Sequence, residues 1–259
     1  MKKWMKKAVA VVLTTAMTLS VGMPAFAAET SIVEENTIHE MTSSIATLTN
    51  ALENEGTSVT QELELAIIEE TRFLQTVTDE DTRSKVLNLI NAYESLLNDW
   101  ESYQETLSTG IAPHGKPHET FSAAVASVVA YFRANNYDLA AELLVYEADI
   151  STGGTYSPIH TAHIYQTTLY KNTLAPSPNV SFKKHIEFNP GSTTADNDLY
   201  YALHGCDYIK DSDGIGISDR YDYTKSDYSW TLTGVAISVM VAAEQYGTLV
   251  PFNVWIYLP

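Results

Sequence analysis

The segment VSFKKHIEF (Val180–Phe188) marks the point where the hydrophobic pattern of this chain changes. Within it Phe182, Ile186 and Phe188 share mainly one face at even spacing, which is the period of a half-buried strand. Upstream of Pro178 the apolar residues recur at steps of three and four, which is the period of amphipathic helices. A helical part followed by a part made mainly of strands predicts an α+β fold.

Five helices are predicted upstream of this change, at about residues 35–52, 59–77, 81–107, 120–134 and 139–148. The apolar seams of the first three are typical of helices that pack on one another. Because the breaks between these three are short, we predict an antiparallel helical bundle at the N-terminal end. The segment Thr78-Asp79-Glu80-Asp81 supplies N-cap candidates and negative charge for the first turn of the third helix, and Asp138 stands where the N-cap of the fifth helix is expected.

Downstream, the segment DLYYALHGCDYI (Asp198–Ile209) alternates apolar and polar residues and is predicted to be a strand. The dipeptide Asp213-Gly214 favours a tight hairpin turn after it. The remaining elements are a helix at Leu232–Tyr246, which Gly247 can close, and a final alternating strand at Val250–Leu258. We therefore expect a small, mainly antiparallel sheet domain packed on one helix.

The segment STGIAPHGKPHE (Ser108–Glu119) is rich in Gly and Pro and has no hydrophobic period, so it is interpreted as a linker. The predicted organisation is a signal peptide at 1–27, a helical bundle at 28–107, the linker at 108–119, a helical pair at 120–155 and an α+β domain at 156–259.

The first 27 residues have the three parts of a secretory signal peptide. Four lysines precede an apolar run, and Ala25-Phe26-Ala27 follows it as a small-x-small cleavage signal. Thr, Ser, Gly and Pro interrupt the apolar run, so a membrane-spanning helix of about 20 residues is the weaker interpretation. We predict cleavage after Ala27 and a secreted, extracellular protein that is not membrane-anchored after cleavage.

The chain is strongly acidic, with a formal net charge of −17. Loss of the signal peptide removes four lysines and no acid, so the charge becomes −21. Such a chain repels phosphate backbones, which argues against nucleic acid as a partner. Solubility outside the cell explains the acidity, and binding of cations or cationic partners is the alternative. Cys206 is the only cysteine, so an intrachain disulfide cannot form.

Histidine and cysteine provide weak candidate sites. Two histidine pairs have close spacing, His114 with His118 and His160 with His163, but two nitrogens do not make a zinc site. We interpret these histidines as surface residues or as residues whose hydrogen bonds are satisfied. If residues 198–209 form a strand, His204 and Cys206 point to the same face, so a Cys–His pair is a second, weaker candidate.

The segment GIGISDRYDYTKSDYSW (Gly214–Trp230) contains the most specific candidate site. Asp219, Tyr221 and Asp222 lie close together at the predicted end of a strand and before a helix. Carboxylates at such a junction can act in catalysis, or they can cap the loop and bond backbone amides. The residues alone leave both interpretations open.

The order of a strand, Asp-x-Tyr-Asp-aromatic, an amphipathic helix and a final strand resembles the C-terminal part of the colicin M family. The match covers about residues 198–258. The resemblance implies a magnesium-dependent phosphodiesterase that acts on lipid-linked peptidoglycan precursors, with Asp219, Tyr221 and Asp222 as the catalytic residues. In that case Asp219 and Asp222 are expected to hold Mg²⁺ or orient water, and Tyr221 to position the substrate. Beyond these two carboxylates the metal ligands are unknown.

The chain departs from the family pattern after the second aspartate. The family has a His-Arg pair six and seven residues further on, where this chain has Tyr228 and Ser229. His185 or His204, from neighbouring strands, is the candidate replacement as an acid or base. Two function classes follow: a secreted, extracellular or envelope-associated interaction protein with a non-catalytic colicin M-like domain, or a bacteriocin-like, metal-assisted phosphodiesterase. The 16 tyrosines favour an interaction protein, whose partner is an unknown protein or cell-envelope component.

Overall fold

The computed structural model describes the backbone of residues 24–109, 117–188, 191–223 and 231–259. Within these ranges side chains are described from residue 35 onward, with residues 180–182 excepted. Contacts between Cα atoms divide the chain into residues 1–36 and a compact unit of residues 37–259. None of the helices in the described ranges is long and apolar enough to cross a membrane.

The elements confirm the predicted α+β class. The α-helices are α1 (Pro24–Asn54), α2 (Val59–Thr76), α3 (Glu80–Ser108), α4 (Pro117–Ala134), α5 (Asp138–Asp149), α6 (Thr194–Leu203) and α7 (Leu232–Tyr246). The strands are β1 (Thr155–Tyr156), β2 (Val180–Glu187), β3 (Gly205–Lys210), β4 (Ile215–Tyr221) and β5 (Phe252–Leu258). A 3₁₀ helix (Ala162–Gln166) and a π-helical turn (Tyr170–Leu174) connect β1 to β2.

Helix α4 lies at the centre of the core. Every residue from Thr120 to Phe132 is buried, and the segment contains no charged residue. Phe121 stacks on Tyr246 of α7 with ring centroids 4.2 Å apart, and Phe132 packs on Tyr201 of α6 at 4.8 Å. A helix that is buried on all sides must be apolar all round, which explains why this segment has no polar face.

The sheet has five strands in the order β1-β5-β4-β3-β2. Strand β1 runs parallel to β5, and the other neighbours are antiparallel, as expected for a mainly antiparallel sheet. The predicted hairpin joins β3 to β4, and Asp211 stabilises it by accepting hydrogen bonds from the amides of Asp213 and Gly214. We call the helix-covered side of the sheet its inner face, because Phe252 on that side contacts Tyr146 of α5.

The prediction of a strand across residues 198–209 is wrong in its first half. Helix α6 occupies Thr194–Leu203, its first turn is capped by the Thr193 hydroxyl, and β3 begins only at Gly205. All residues from Asp198 to Leu203 are buried. Because these residues of α6 are buried on every side, the alternation of apolar and polar residues does not mark one buried face. The two-residue period therefore does not indicate a strand here.

The two predicted N-caps have different outcomes. Asp79 caps α3 as expected, since its carboxylate accepts a hydrogen bond of 2.8 Å from the Thr82 amide. Asp138 does not cap α5; it lies inside the helix and pairs with Arg133 at 2.7 Å. The first amides of α5 instead bond the buried carboxylate of Asp198 on α6, which is distant in sequence.

The predicted domain boundaries stay predictions. Residues 110–116 of the predicted linker lie outside the described ranges, and α4 already begins at Pro117. A single cluster of buried side chains includes Leu48 of the bundle, Leu144 of the helical pair and Ile217 of the sheet. The packing therefore joins segments that the sequence analysis assigns to different parts.

Candidate functional site

A cavity of about 190 Å³ lies where β4 ends and α6 leads into β3. All five residues proposed from the sequence, Asp219, Tyr221, Asp222, His204 and His185, line it. The other lining residues are Glu187, Tyr200, Tyr201, Ala202, Leu203, Gly205, Arg220, Tyr223 and Ile237. The fold thus brings together the motif at the end of β4 and a histidine that is 15 residues upstream of Asp219 in the chain.

Asp219 is a carboxyl group in an otherwise apolar row of the inner face. It is paired in register with Val254 of β5. The pairing of Asp207 with Ser218 places Cys206 opposite Asp219 on its other side. Burial is the main cause that raises the pKa of Asp219 to about 8, and the negative charge of Asp222 contributes to the same shift. At neutral pH this group is therefore mainly protonated and can donate a hydrogen bond into the cavity.

Tyr221 lies deeper than Asp219. Its ring packs against Phe252 and Tyr223, with centroid distances of 5.1 Å to each, and the Tyr223 hydroxyl donates a hydrogen bond to the Tyr221 hydroxyl. Burial raises the pKa of Tyr221 well above its ordinary value. Tyr221 is therefore a neutral hydroxyl that is held by a second tyrosine.

Asp222 lies at the rim of the cavity. Its side chain is 42% exposed, and its carboxylate is 3.5 Å from Nε of Arg220. An exposed pair at that distance contributes little to stability. The two aspartates of the motif therefore differ in state, because Asp219 is half-buried and mainly protonated at neutral pH whereas Asp222 is exposed to solvent.

His204 is the C-cap residue of α6 and not a strand residue. Its φ of 49° turns the chain from the helix into β3, and its ring lies 5.2 Å from that of Tyr200. The predicted pairing of His204 with Cys206 on one strand face is therefore wrong. Burial, followed by the charge of Asp219, raises the pKa of the Cys206 thiol, which is opposite to what a nucleophilic cysteine requires.

The site was also tested as a magnesium centre. Within the described ranges, no group of three or more His, Cys, Asp or Glu side chains could hold a metal ion. The described residues therefore do not fit a Mg²⁺ site made of protein ligands alone.

Two acids that no sequence pattern indicates, Glu147 and Glu244, lie next to the motif. Glu147 of α5 is buried, and its pKa is raised by burial and by the charge of Glu244 on α7. Burial also raises the pKa of Glu244, which accepts a hydrogen bond of 2.6 Å from the Tyr223 amide. Both carboxyl oxygens of Glu147 are buried without a hydrogen-bond partner among the described residues, so burial and the nearby charge of Glu244 favour its protonated form. The pair therefore connects α5 and α7 to the end of the motif.

The predicted satisfied histidines are confirmed for His160 and His163. His160 bridges two buried carboxylates, with 3.0 Å from Nδ1 to Glu142 and 3.2 Å from Nε2 to Glu70. Burial lowers the pKa of His160, but the bonds to these glutamates outweigh it and raise the pKa to about 10. His163 bonds the buried Asp198 at 2.7 Å. Both histidines are used in packing, and His114 lies outside the described residues.

No family model matches the chain, and comparisons with curated proteins and with solved structures found no match. The resemblance to the colicin M family rests on the motif and its order of elements alone. The family's His-Arg positions, Tyr228 and Ser229, lie outside the described ranges.

Proposed function

We propose that this is a secreted, extracellular or envelope-associated interaction protein whose C-terminal part is a colicin M-like, non-catalytic domain. The observation that carries the proposal is the charge of the cavity. Its ionisable lining consists of Asp219, Asp222 and Glu187 as acids, with Arg220 and two histidines as the potential cations. Arg220 lies beside Asp222, so among the described lining residues the one arginine already has an acidic neighbour that competes with a phosphate group.

A protonated acid and tyrosine hydroxyls make the cavity suitable for binding a neutral polar group. Asp219 is mainly neutral at pH 7, and Tyr221 and Tyr223 are neutral hydroxyls. The lining mixes apolar side chains such as Leu203 and Ile237 and the rings of tyrosines with polar and charged groups, and fixed polar groups in a pocket orient a bound ligand. Four tyrosines line the cavity, and because tyrosine is enriched at binding interfaces, they also support the binding of a partner.

The second candidate function is a metal-assisted phosphodiesterase on lipid-linked cell-wall precursors. It is favoured by one observation, the convergence of Asp219, Tyr221, Asp222 and His204 on a single cavity. A buried acid with a strongly raised pKa in a cleft is also typical of a general acid. In this alternative Asp219 protonates a leaving group and Tyr221 positions the substrate.

Incubation of the purified chain, residues 28–259, with a lipid-linked pyrophosphate precursor distinguishes the two candidates. We expect no release of the pyrophosphorylated head group, with or without added Mg²⁺, because acids outnumber arginine in the described lining and Asp222 competes with phosphate for Arg220. Release that Asp222→Ala abolishes, while Asp207→Asn on the opposite sheet face leaves it intact, would establish the enzyme instead. Circular dichroism of each variant verifies that the fold is retained.

Export is tested separately. If residues 1–27 are a signal peptide, N-terminal sequencing of the protein recovered from the culture medium is expected to start at Ala28. The reason is the order of lysines, apolar run and small-x-small signal. Retention of the apolar run in the secreted material, or no protein in the medium, would contradict export by cleavage at this position.

A further inference from the structure

The side of the sheet opposite the helices carries two aromatic rings, on Trp255 and Tyr257. We call this side the outer face. In β5, buried residues alternate with Asn253, Trp255 and Tyr257, which point to the outer face. The Tyr257 side chain is 51% exposed, and Trp255 is partly buried. Both aromatic side chains therefore lie on a solvent-facing surface of a regular sheet.

Glycines allow these two rings to lie close to the sheet. A Cβ atom at position 216 would lie 2.7 Å from Cη2 of Trp255, so the indole covers the backbone of Gly216. At position 214 a Cβ atom would lie 2.8 Å from the Tyr257 hydroxyl oxygen. That hydroxyl donates a hydrogen bond of 2.8 Å to the carbonyl oxygen of Asp213. The two rings are therefore fixed in place as a platform before any ligand arrives.

A polar row crosses the outer face next to the platform. His185, Asp207, Ser218 and Trp255 are register partners on β2, β3, β4 and β5 in turn. With neighbouring strands about 4.8 Å apart, the row extends over roughly 14 Å. His185 and Asp207 bond each other at 3.1 Å, and their side chains are 62% and 40% exposed. Polar side chains that can form hydrogen bonds thus line a straight path across the strands, and this path ends at the Trp255 ring.

We propose that the outer face binds a neutral, extended polysaccharide, with pyranose rings stacked on Trp255 and Tyr257. The C–H groups on the face of a pyranose ring carry partial positive charge, which suits the negative face of an aromatic ring. Because Trp255 and Tyr257 are two residues apart on β5, the sugar chain runs along this strand and meets the polar row at Ser218, the register partner of Trp255. The Ser218 hydroxyl donates to and accepts from the sugar hydroxyl groups.

The charge and composition of the face argue for this ligand over other polymers. The chain has a net charge of −17 and repels anionic polymers, whereas a neutral glycan has no such penalty. A stable protein partner requires an apolar centre depleted of charged residues, but His185, Asp207 and Arg220 interrupt this face. The cavity lies at the end of the sheet and shares His185 and Arg220 with the outer face, whereas Trp255 and Tyr257 do not line it.

Titration of the purified protein with two neutral β-linked hexasaccharides, of glucose and of N-acetylglucosamine, tests the inference. We expect at least one to bind with a Kd of about 10 μM to 1 mM, and polygalacturonate, an anionic glycan, not to bind. Tyr257→Ala is expected to weaken binding by about tenfold or more. Tyr165→Ala removes a 36% exposed tyrosine from the 3₁₀ helix and should leave binding unchanged.

Trp255→Ala uncovers Gly216 and can destabilise the sheet, so Trp255→Phe is measured beside it as a variant that retains a ring. A smaller loss of affinity for Trp255→Phe than for Tyr257→Ala, at unchanged thermal stability, supports stacking. The inference is overturned if neither neutral hexasaccharide binds, or if Tyr165→Ala weakens binding as much as Tyr257→Ala. It is also overturned if the two platform variants lower thermal stability and leave the affinity unchanged, because the rings then only cover glycines.

Discussion

Replacement of Glu142 by alanine is expected to lower the free energy of unfolding by about 3–5 kcal/mol, the cost of breaking a buried charge pair by removing one partner. Glu142 is completely buried on α5. It accepts hydrogen bonds from the Tyr156 hydroxyl at 2.6 Å, from the Ile159 amide at 2.8 Å and from the His160 amide at 2.8 Å. It also accepts one from the His160 ring. Alanine leaves all of these donors without their acceptor in the protein interior.

Urea unfolding followed by circular dichroism measures this change. Tyr156→Phe removes only the hydroxyl donor and should cost about 1 kcal/mol. Glu142→Gln keeps the size of the side chain but replaces an acceptor by an amide donor, so it should be nearly as destabilising as alanine. A loss of less than 1 kcal/mol for Glu142→Ala would show that water or a rearranged side chain satisfies the freed donors.

Asp219→Asn is expected to stabilise the protein by about 2–4 kcal/mol at pH 7. The folded state raises the pKa of Asp219 from 3.8 to about 8. Between these values the folded state holds a proton that the unfolded state has released, so stability falls as the pH rises from about 4 to 8. Asparagine does not ionise, and it removes this cost without changing the size of the side chain.

The pH dependence identifies the cause of the Asp219 effect. The stability difference between wild type and Asp219→Asn should be near zero at pH 4, increase up to about pH 8 and then level off. Asp207→Asn, on the adjacent strand but on the outer face, is a matched control and should change stability by less than about 0.5 kcal/mol. If Asp219→Asn is instead destabilising at pH 7, the carboxylate is ionised and bonded in the folded protein.

A gain in stability on replacement of Asp219 by asparagine would indicate that the acid serves function. An acid that costs stability in an apolar row is kept for a reason other than packing, as is common at binding and catalytic sites. Both candidate functions use Asp219, as a neutral donor in the binding cavity or as a general acid. The lipid-linked precursor assay separates these two functions, and the stability measurement tests the protonation state that they share.

Local patterns in the sequence determined much of the fold. The α+β class, the hairpin at Asp213-Gly214, the cap of α3 by Asp79 and the closure of α7 at Gly247 all depend on residues within a few positions of one another. The Gly247 φ of 80° is a conformation that glycine adopts without steric cost. The sequence also located Asp219, Tyr221 and Asp222 at the end of a strand, because the motif follows directly on the alternating residues of β4.

Only the tertiary structure decided which acids are buried and what they contact. Asp198 caps α5 from another helix, and Glu147 meets Glu244 across nearly a hundred residues of chain. The sequence does not predict helix α6, because its last six residues are all buried. A hydrophobic period is visible only when one face of an element is buried and the other is exposed. The physical reason is common to these cases. Burial and pairing are set by contacts between distant segments, whereas a sequence pattern reports only on neighbours along the chain.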